Sequence, residues 1–587
     1  MASKYAFIGL GISGLLHFNA SAADFSDTSN SDLAAIGLHV AQQQPPSVGP
    51  SPRLDEQPPS QQPLPELDPG LPPLDDILEL PERPETPTPE PELAGDRICV
   101  TGLEVIGSTV YDADELAQVA ATAVLPEDFD CQLPALQNAD GYQLTFAELQ
   151  QARDAITQVY VDDGYVTSGA FIPEQTLATG VVQLQVVEGQ VESIEVLGLD
   201  RLNPAYVRDR IALASQPPLN TDNLLQGLQL LQLDPLIENI DVELATGVEL
   251  GTNRLIANVV EANPYRLSLG LDNGRTPLVG SFQRRLRGGH LNLLGQGDRF
   301  LVDYINTDGS NSVDLSYIYP LNARNGTLRL SHGRTSSWVI EDDFEILDIR
   351  SRSQYYELSY RQPLYQTPTQ EFALSLTGSH QRSESRFNPG GFGDLPFPVR
   401  GSDEDGETQI TALRFSQEWL NRDNRQVLAL RSQFSLGVNA FGATQNSSSP
   451  DSNFFSWWGQ GQWVYLLGPD TLLQLRSDLQ FADRPLLPQE QIGLGGFGSV
   501  RGYRQDQLLT DNGWLTSAEV RVPIARVPEV DGLLQLIPFI DFGVGWNETG
   551  EDPDPNTLLS AGLVVGWQME GGFSARIDYG VQLLDAS

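Results

Sequence analysis

Two hydrophobic rhythms divide this chain of 587 residues. From residue 97 to about 262, short alternating runs are interleaved with stretches of helical period. In Thr145 to Asp163, residues Leu149, Ala152, Ile156 and Tyr160 fall on one face. Thr145 with Glu148 three residues on forms a capping box, and Gly164 follows at the C-cap. Asp112 to Thr122 is a second helix, capped by Asp112 ahead of Leu116, Val119 and Ala120. Strands are predicted at 99–105, 165–172 and 181–188, giving the order β-α-α-β-β. Residues 191–262 repeat that order, with strands at 191–196, 240–244 and 254–260 and helices at 204–214 and 221–232, the second capped by Thr221.

From Arg266 to the end the period changes to two. Phe372, Leu374 and Leu376 alternate with small or polar residues, as do Leu428 with Leu430, Phe434 with Leu436 and Val438, and Leu473 with Leu475. The runs are about ten residues long, the length a tilted membrane strand needs. Short turns such as Asn325-Gly326 and Gly468-Pro469-Asp470 alternate with long polar loops such as 383–407. Short turns at one end and long loops at the other fit a membrane-spanning antiparallel barrel better than a soluble sandwich. Some 320 residues at about twenty per strand and loop give roughly sixteen strands. Direct counting reaches about fifteen, the last from Gly572 to Leu583. Either one strand goes unrecognised or the chain stops before its last one. An open barrel would leave unpaired backbone in lipid.

Composition narrows the function. The formal net charge of −43 argues against nucleic acid, whose phosphates need clustered Lys and Arg. Past the N-terminus no run of 18 apolar residues occurs, so no transmembrane helix is predicted. Residues 1–22 read as a secretory signal, with Lys4, an apolar core from Ala6 to Phe18 and small residues Ala20-Ser21-Ala22 before the cut. The apolar stretch from Leu33 to Ala41 leaves a later cut near Ala41 open. Residues 42–95, rich in Pro, Gln and Glu, read as an extended linker within a non-core region spanning 23–96. Cys99 and Cys131 form no metal motif. In an oxidising compartment a single disulfide is the simplest reading, with two unrelated buried thiols as the alternative. The five histidines are scattered, and no nucleophile or nucleotide motif is seen, so neither an enzyme nor a metal or other cofactor is predicted. The acidic run Asp403-Glu404-Asp405 with Glu407 reads as a solvated loop rather than a calcium site.

The Gly-rich stretch Gly495-Gly496-Phe497-Gly498-Ser499-Val500-Arg501-Gly502-Tyr503-Arg504 resembles the lumenal loop of the outer-membrane barrel superfamily that includes BamA and TpsB proteins. Leu508, Asp511, Gly513, Glu519, Arg521 and Pro523, which follow it, resemble the two-partner secretion (TpsB) branch, the haemolysin secretion/activation proteins of ShlB/FhaC/HecB type. Residues 164–173 likewise resemble the first POTRA domain of that branch. The resemblance implies two α+β POTRA domains, 97–190 and 191–263, followed by an outer-membrane β-barrel over 264–587. It implies that Val500, Arg501, Gly502 and Tyr503 fold into the lumen. There Arg501 would meet Asp541 of the motif Phe539-Ile540-Asp541-Phe542-Gly543, whose Phe539, Asp541 and Gly543 share a face. It also implies a plug helix, for which residues 32–42 are the candidate. The implied partners are a secreted exoprotein (TpsA-like) client, recognised in the periplasm and passed unfolded to the surface, and outer-membrane lipid; the protein itself would be a monomer. A barrel-assembly insertase of the same superfamily, or a passive porin or adhesin, is the competing reading.

Overall fold

The computed structural model describes residues 6–16, 57–65, 77–79 and 97–585, apart from gaps at 127, 134–138, 177–178, 389–390, 392, 398, 448–449 and 570. The candidate plug helix at 32–42 lies outside the described residues. The chain divides into two compact units, 73–262 and a second made of 1–72 with 263–587.

Within 73–262 the first domain packs helices Ala113–Val124 and Phe146–Asp162 on a sheet ordered Gly102–Ile106, Val181–Val187, Gly169–Phe171. Val182, Leu184 and Val186 alternate inward along the central strand and meet Leu116, Ala120, Leu149, Ala152, Ile156 and Tyr160. Each buried Val, Leu or Ile among them stabilises by about 1.5–3 kcal/mol. Both halves of the Thr145–Glu148 capping box form, and Asp112 accepts the N–H groups of Asp114 and Glu115. The run expected as one strand at 99–105 is broken. Thr101 turns its N–H to the carbonyl of Gly180 at 2.7 Å, so Ile98–Val100 joins a separate small sheet with Ala139–Leu144 and Cys131–Leu133. That sheet carries the Cys99–Cys131 disulfide.

The second domain orders its sheet Leu78–Glu79, Ile237–Thr246, Thr252–Glu261, Gln190–Leu197, with helices Pro204–Ala214 and Thr221–Gln232. Asn220, not Thr221, caps the latter helix. Its side chain accepts the N–H groups of Asp222 and Asn223, while the Thr221 hydroxyl donates to the carbonyl of Gly164 at 2.8 Å. Asparagine is as good an N-cap as threonine, and tertiary contact with Gly164 shifts the start by one residue.

The other unit is an antiparallel closed barrel. Seventeen of the described strands take part, one of them the two-residue Leu395–Pro396 at a hairpin tip, leaving sixteen long ones. Its burial is inverted relative to a soluble core. Leu358 and Leu376 are 52% and 55% exposed, whereas Ser331 and Ser416 are 0% and 7%. Apolar side chains face outward where lipid lies and small polar ones face the lumen, which is why the sequence alternates. Two-residue and three-residue turns such as 469–470 and 423–425 close one end, and the long connections 388–406 and 483–511 lie at the other.

Fifteen long strands come from Tyr265 onward, ending with Phe573–Gln582. The sixteenth is Ala6–Leu16, which pairs antiparallel with Tyr265–Asp272 on one side and Phe573–Gln582 on the other. So the strand that counting could not find is taken here from the apolar segment read as the core of a secretory signal. The physical cause is the seam, which offers two rows of unpaired N–H and C=O groups to any extended segment.

Candidate functional site

The connection 483–511 does not stay outside the barrel; its tip turns into the lumen. A three-rung hairpin of Ile492–Leu494 and Leu508–Thr510 narrows its base. Asp511, fully buried, accepts the Leu486 N–H at 2.9 Å and the Gln491 amide at 2.8 Å, so it ties the two ends together. Gly495 and Gly496 take φ of +108° and +95°, a region other residues enter only with strain. Val500, Tyr503, Leu494 and Leu508 then pack with Leu515 and Leu558 of the wall.

Arg501 is 5% exposed and Asp541 is 0%. One Asp541 oxygen accepts the Arg501 backbone N–H at 3.0 Å and its Nε at 2.8 Å; the other accepts Nη2 at 2.7 Å. Ser517 donates to that second oxygen at 2.6 Å. This is the bidentate fork that a guanidinium makes and an ammonium does not. The Phe539 ring lies under the guanidinium, 3.5 Å from centroid to Cζ. Ile540, between them in sequence, is 48% exposed, as strand alternation requires.

The pair is one part of a larger cluster. Arg501 also bonds Glu519 and lies 3.4 Å from Asp578, while Arg576 pairs with Asp578 at 2.7 Å and approaches Glu519 at 3.5 Å. Three carboxylates thus face two guanidiniums. The rest of the motif fixes the approach. A Cβ on Gly543 would lie 2.8 Å from Cγ2 of Val500, and one on Gly502 would lie 3.1 Å from the backbone of Gly580. The Tyr503 hydroxyl reaches the carbonyls of Leu559 and Leu584 at 2.9 and 2.8 Å and accepts the Leu559 N–H.

Two further contacts hold the loop. Arg414 and Glu490, both buried, form a second bidentate pair at 2.7 and 3.0 Å. Arg504 meets Glu341 at 2.6 Å in the connection after Thr327–Trp338. Glu490 also accepts the Gln61 amide at 2.8 Å. Gln61 belongs to a piece of the Pro-rich linker, residues 57–65, that lies in the lumen around a turn at Pro59–Gln61. Ser60 bonds Glu357 and its carbonyl accepts the Gln433 amide; the Gln62 carbonyl accepts Arg431. Sequence reasoning missed this segment, because a proline-rich stretch carries no sign of where it lies. It also missed Asp578 and Arg576, whose signal was two charges spaced two apart in an apolar strand. The acidic run at Asp403 closes on itself, its carboxylate accepting the N–H groups of Asp405 and Glu407.

An antiparallel barrel whose long loop is clamped inside its own lumen is the architecture implied by the resemblance of that loop to the outer-membrane barrel superfamily. A family model described as "Haemolysin secretion/activation protein ShlB/FhaC/HecB" matches residues 251–569, and one for the ShlB-type POTRA domain matches 98–189. The chain belongs to the ShlB/FhaC/HecB family, and its place is the outer membrane, with POTRA domains on the periplasmic side. It is similar to the outer membrane transporter CdiB of Escherichia coli, 25% identical over 84% of this chain and 82% of that protein. It is also similar to the heme/hemopexin transporter protein HuxB of Haemophilus influenzae (strain 86-028NP), 20% identical over 70% of this chain and 72% of that one. The solved structure of CdiB from Escherichia coli shares the fold at TM-score 0.60, with 20% identity, covering 84% of this chain and 93% of that chain.

Proposed function

We propose that this protein takes a partner exoprotein from the periplasm through its POTRA domains and passes it unfolded through the barrel to the cell surface. It acts as a transporter and not as an enzyme. The observation that carries the reading is the lumenal clamp. The connection 483–511 and the segment 57–65 both bond to walls of the lumen, and they bond to one another at Glu490. A passive pore has no use for such an obstruction. A conduit for a chain does, because it must stay closed when idle and open by moving polar, exchangeable contacts.

Arg501 and Asp541 set the loop's resting position. Burying that many charges is stable only while they remain paired; removing one partner of a buried pair costs about 3–5 kcal/mol. Arg501→Ala is expected to reduce export of the partner exoprotein at least tenfold while barrel abundance in the outer membrane stays within about twofold. Equal loss of both would make the pair an assembly device only. The test of the function itself is deletion of the gene, followed by comparison of secreted and outer-membrane proteins. Loss of one large exoprotein with other barrels unchanged is expected; general depletion of barrels would mean an assembly factor instead.

A further inference from the structure

The outward face of the barrel changes character along three neighbouring strands, Thr327–Trp338, Arg350–Gln366 and Gln370–Phe387. Leu330 and Leu358 stand level on the first two, both about half exposed, in the apolar band. Two residues on, toward the long connections, His332 stacks on Tyr356 with ring centroids 4.5 Å apart. Such rings mark the level where hydrocarbon gives way to headgroups. Two residues further, about 7 Å along the strand, Arg334, Gln354 and Arg382 lie level across the three strands. Arg352 comes next on the same face.

Arg334, Arg352 and Arg382 are all exposed. Arg382 pairs with Glu407 at 2.7 Å. Arg334 and Arg352 have no hydrogen-bond or ion-pair partner among the described residues. The carboxylates nearby are committed elsewhere: Glu384, level with Arg352, bonds Arg386, and Asp348 bonds Arg350. Two unshared cations on one face stand out in a chain of net charge −43. Their type matters as well. Lys4 is the only lysine in the sequence, so the cations here are planar forks, weakly hydrated and matched to two oxygens of one oxyanion. The strands Phe455–Gly468, Thr471–Ala482 and Gly532–Trp546 carry aromatic side chains at this end instead, Phe455, Phe481 and Trp546. The cationic face therefore belongs to one side of the barrel.

We propose that Arg334 and Arg352, with Arg382 across Gln354, form a binding site for the anionic headgroup of one outer-leaflet lipid, whose acyl chains lie over Leu330 and Leu358. The strands present an apolar band, then rings, then guanidiniums, and an anionic lipid presents the matching order of chains, interface and charge. A basic cluster at the headgroup level of a membrane protein attracts such lipids. A free oxyanion would meet the same guanidiniums in water, where each contact is worth little; the acyl chains supply the remaining affinity.

The test uses the full chain, stripped of lipid in a non-ionic detergent and titrated with phosphatidylglycerol or with phosphatidylcholine of the same acyl chains. Bound lipid is counted by native mass spectrometry. The unaltered chain is expected to hold one phosphatidylglycerol at least about tenfold more tightly than phosphatidylcholine. Arg334→Gln with Arg352→Gln should abolish that preference. Arg334→Lys with Arg352→Lys keeps both charges, and so disturbs insertion less, but loses the fork; it should retain only part of the preference. Arg284→Gln removes an arginine already paired with Asp308 at 2.8 Å and should change nothing. Equal binding of the two lipids by the unaltered chain overturns the proposal, as does the same loss in Arg284→Gln as in the double Gln variant. Displacement of phosphatidylglycerol by an equal concentration of inorganic phosphate also overturns it, since the site would then read a free anion and not a lipid. No readout uses secretion, so the outcome stands apart from the transport reading.

Discussion

Gly543 has no side chain because Val500 occupies the space one would take. Gly543→Ala sets a new methyl 2.8 Å from Val500 Cγ2, so either the loop or the strand must shift. Overpacking of this kind costs about 1–3 kcal/mol. The expected result is partial release of the loop, read as trypsin cleavage at Arg501 and Arg504 in the folded barrel. Adding Val500→Ala removes the obstructing methyl and should restore resistance. Gly502→Ala should not be rescued the same way, since its neighbour is the Gly580 backbone. A different residue contributes to the pH response of the first POTRA domain. Burial works to raise the pKa of Glu188, but the Thr109 hydroxyl and N–H, the Tyr160 hydroxyl and the Val110 N–H outweigh it and hold the group below its usual value. A depressed carboxylate stabilises the fold fully above its unfolded pKa, near 4.5, and loses that contribution as pH falls through the folded value. Glu188→Gln is expected to destabilise the domain at pH 7 by about 1 kcal/mol, the site being partly solvated. Thermal unfolding at pH 3 should show the two proteins converging.

At the scale of elements, local patterns and long-range contacts contribute differently. The helices Ala113–Val124 and Phe146–Asp162 were legible to within a residue or two, because caps and an apolar stripe are written in consecutive residues. The cap at Asn220 was not, because its advantage over Thr221 depends on a contact with Gly164, 57 positions away. The barrel strands were legible as a period of two. The position of 57–65 was invisible, since its contacts go to Glu357, Arg431, Gln433 and Glu490, all hundreds of residues on. The second bidentate pair, Arg414–Glu490, escaped for the same reason: neither residue lies in a recognisable motif.

For the whole molecule, closure of the barrel and removal of a leader draw on the same residues. Ala6–Leu16 closes it here, yet the same residues have the make-up of a leader that is cut away. We expect the protein extracted from outer membranes to begin at Ala23, or near Gln42, by intact mass and N-terminal sequencing. Recovery of residues 6–16 in that protein would establish them as the sixteenth strand and dismiss the leader.

The sequence by itself determined the two POTRA-like repeats and the barrel class, because periodicity and caps are local properties; the lumenal loop and a pairing of Arg501 with Asp541 were implied only by a resemblance over short motifs. Tertiary structure alone decided the rest: the three-carboxylate cluster around Arg501, the second anchor at Glu490, the linker's path through the lumen and its short strand on the edge of Ile237–Thr246. These are pairings between residues tens to hundreds of positions apart. Nothing in a residue's own neighbourhood encodes which distant charge or sheet edge it will meet; closure of the barrel and of the sheets brings them together.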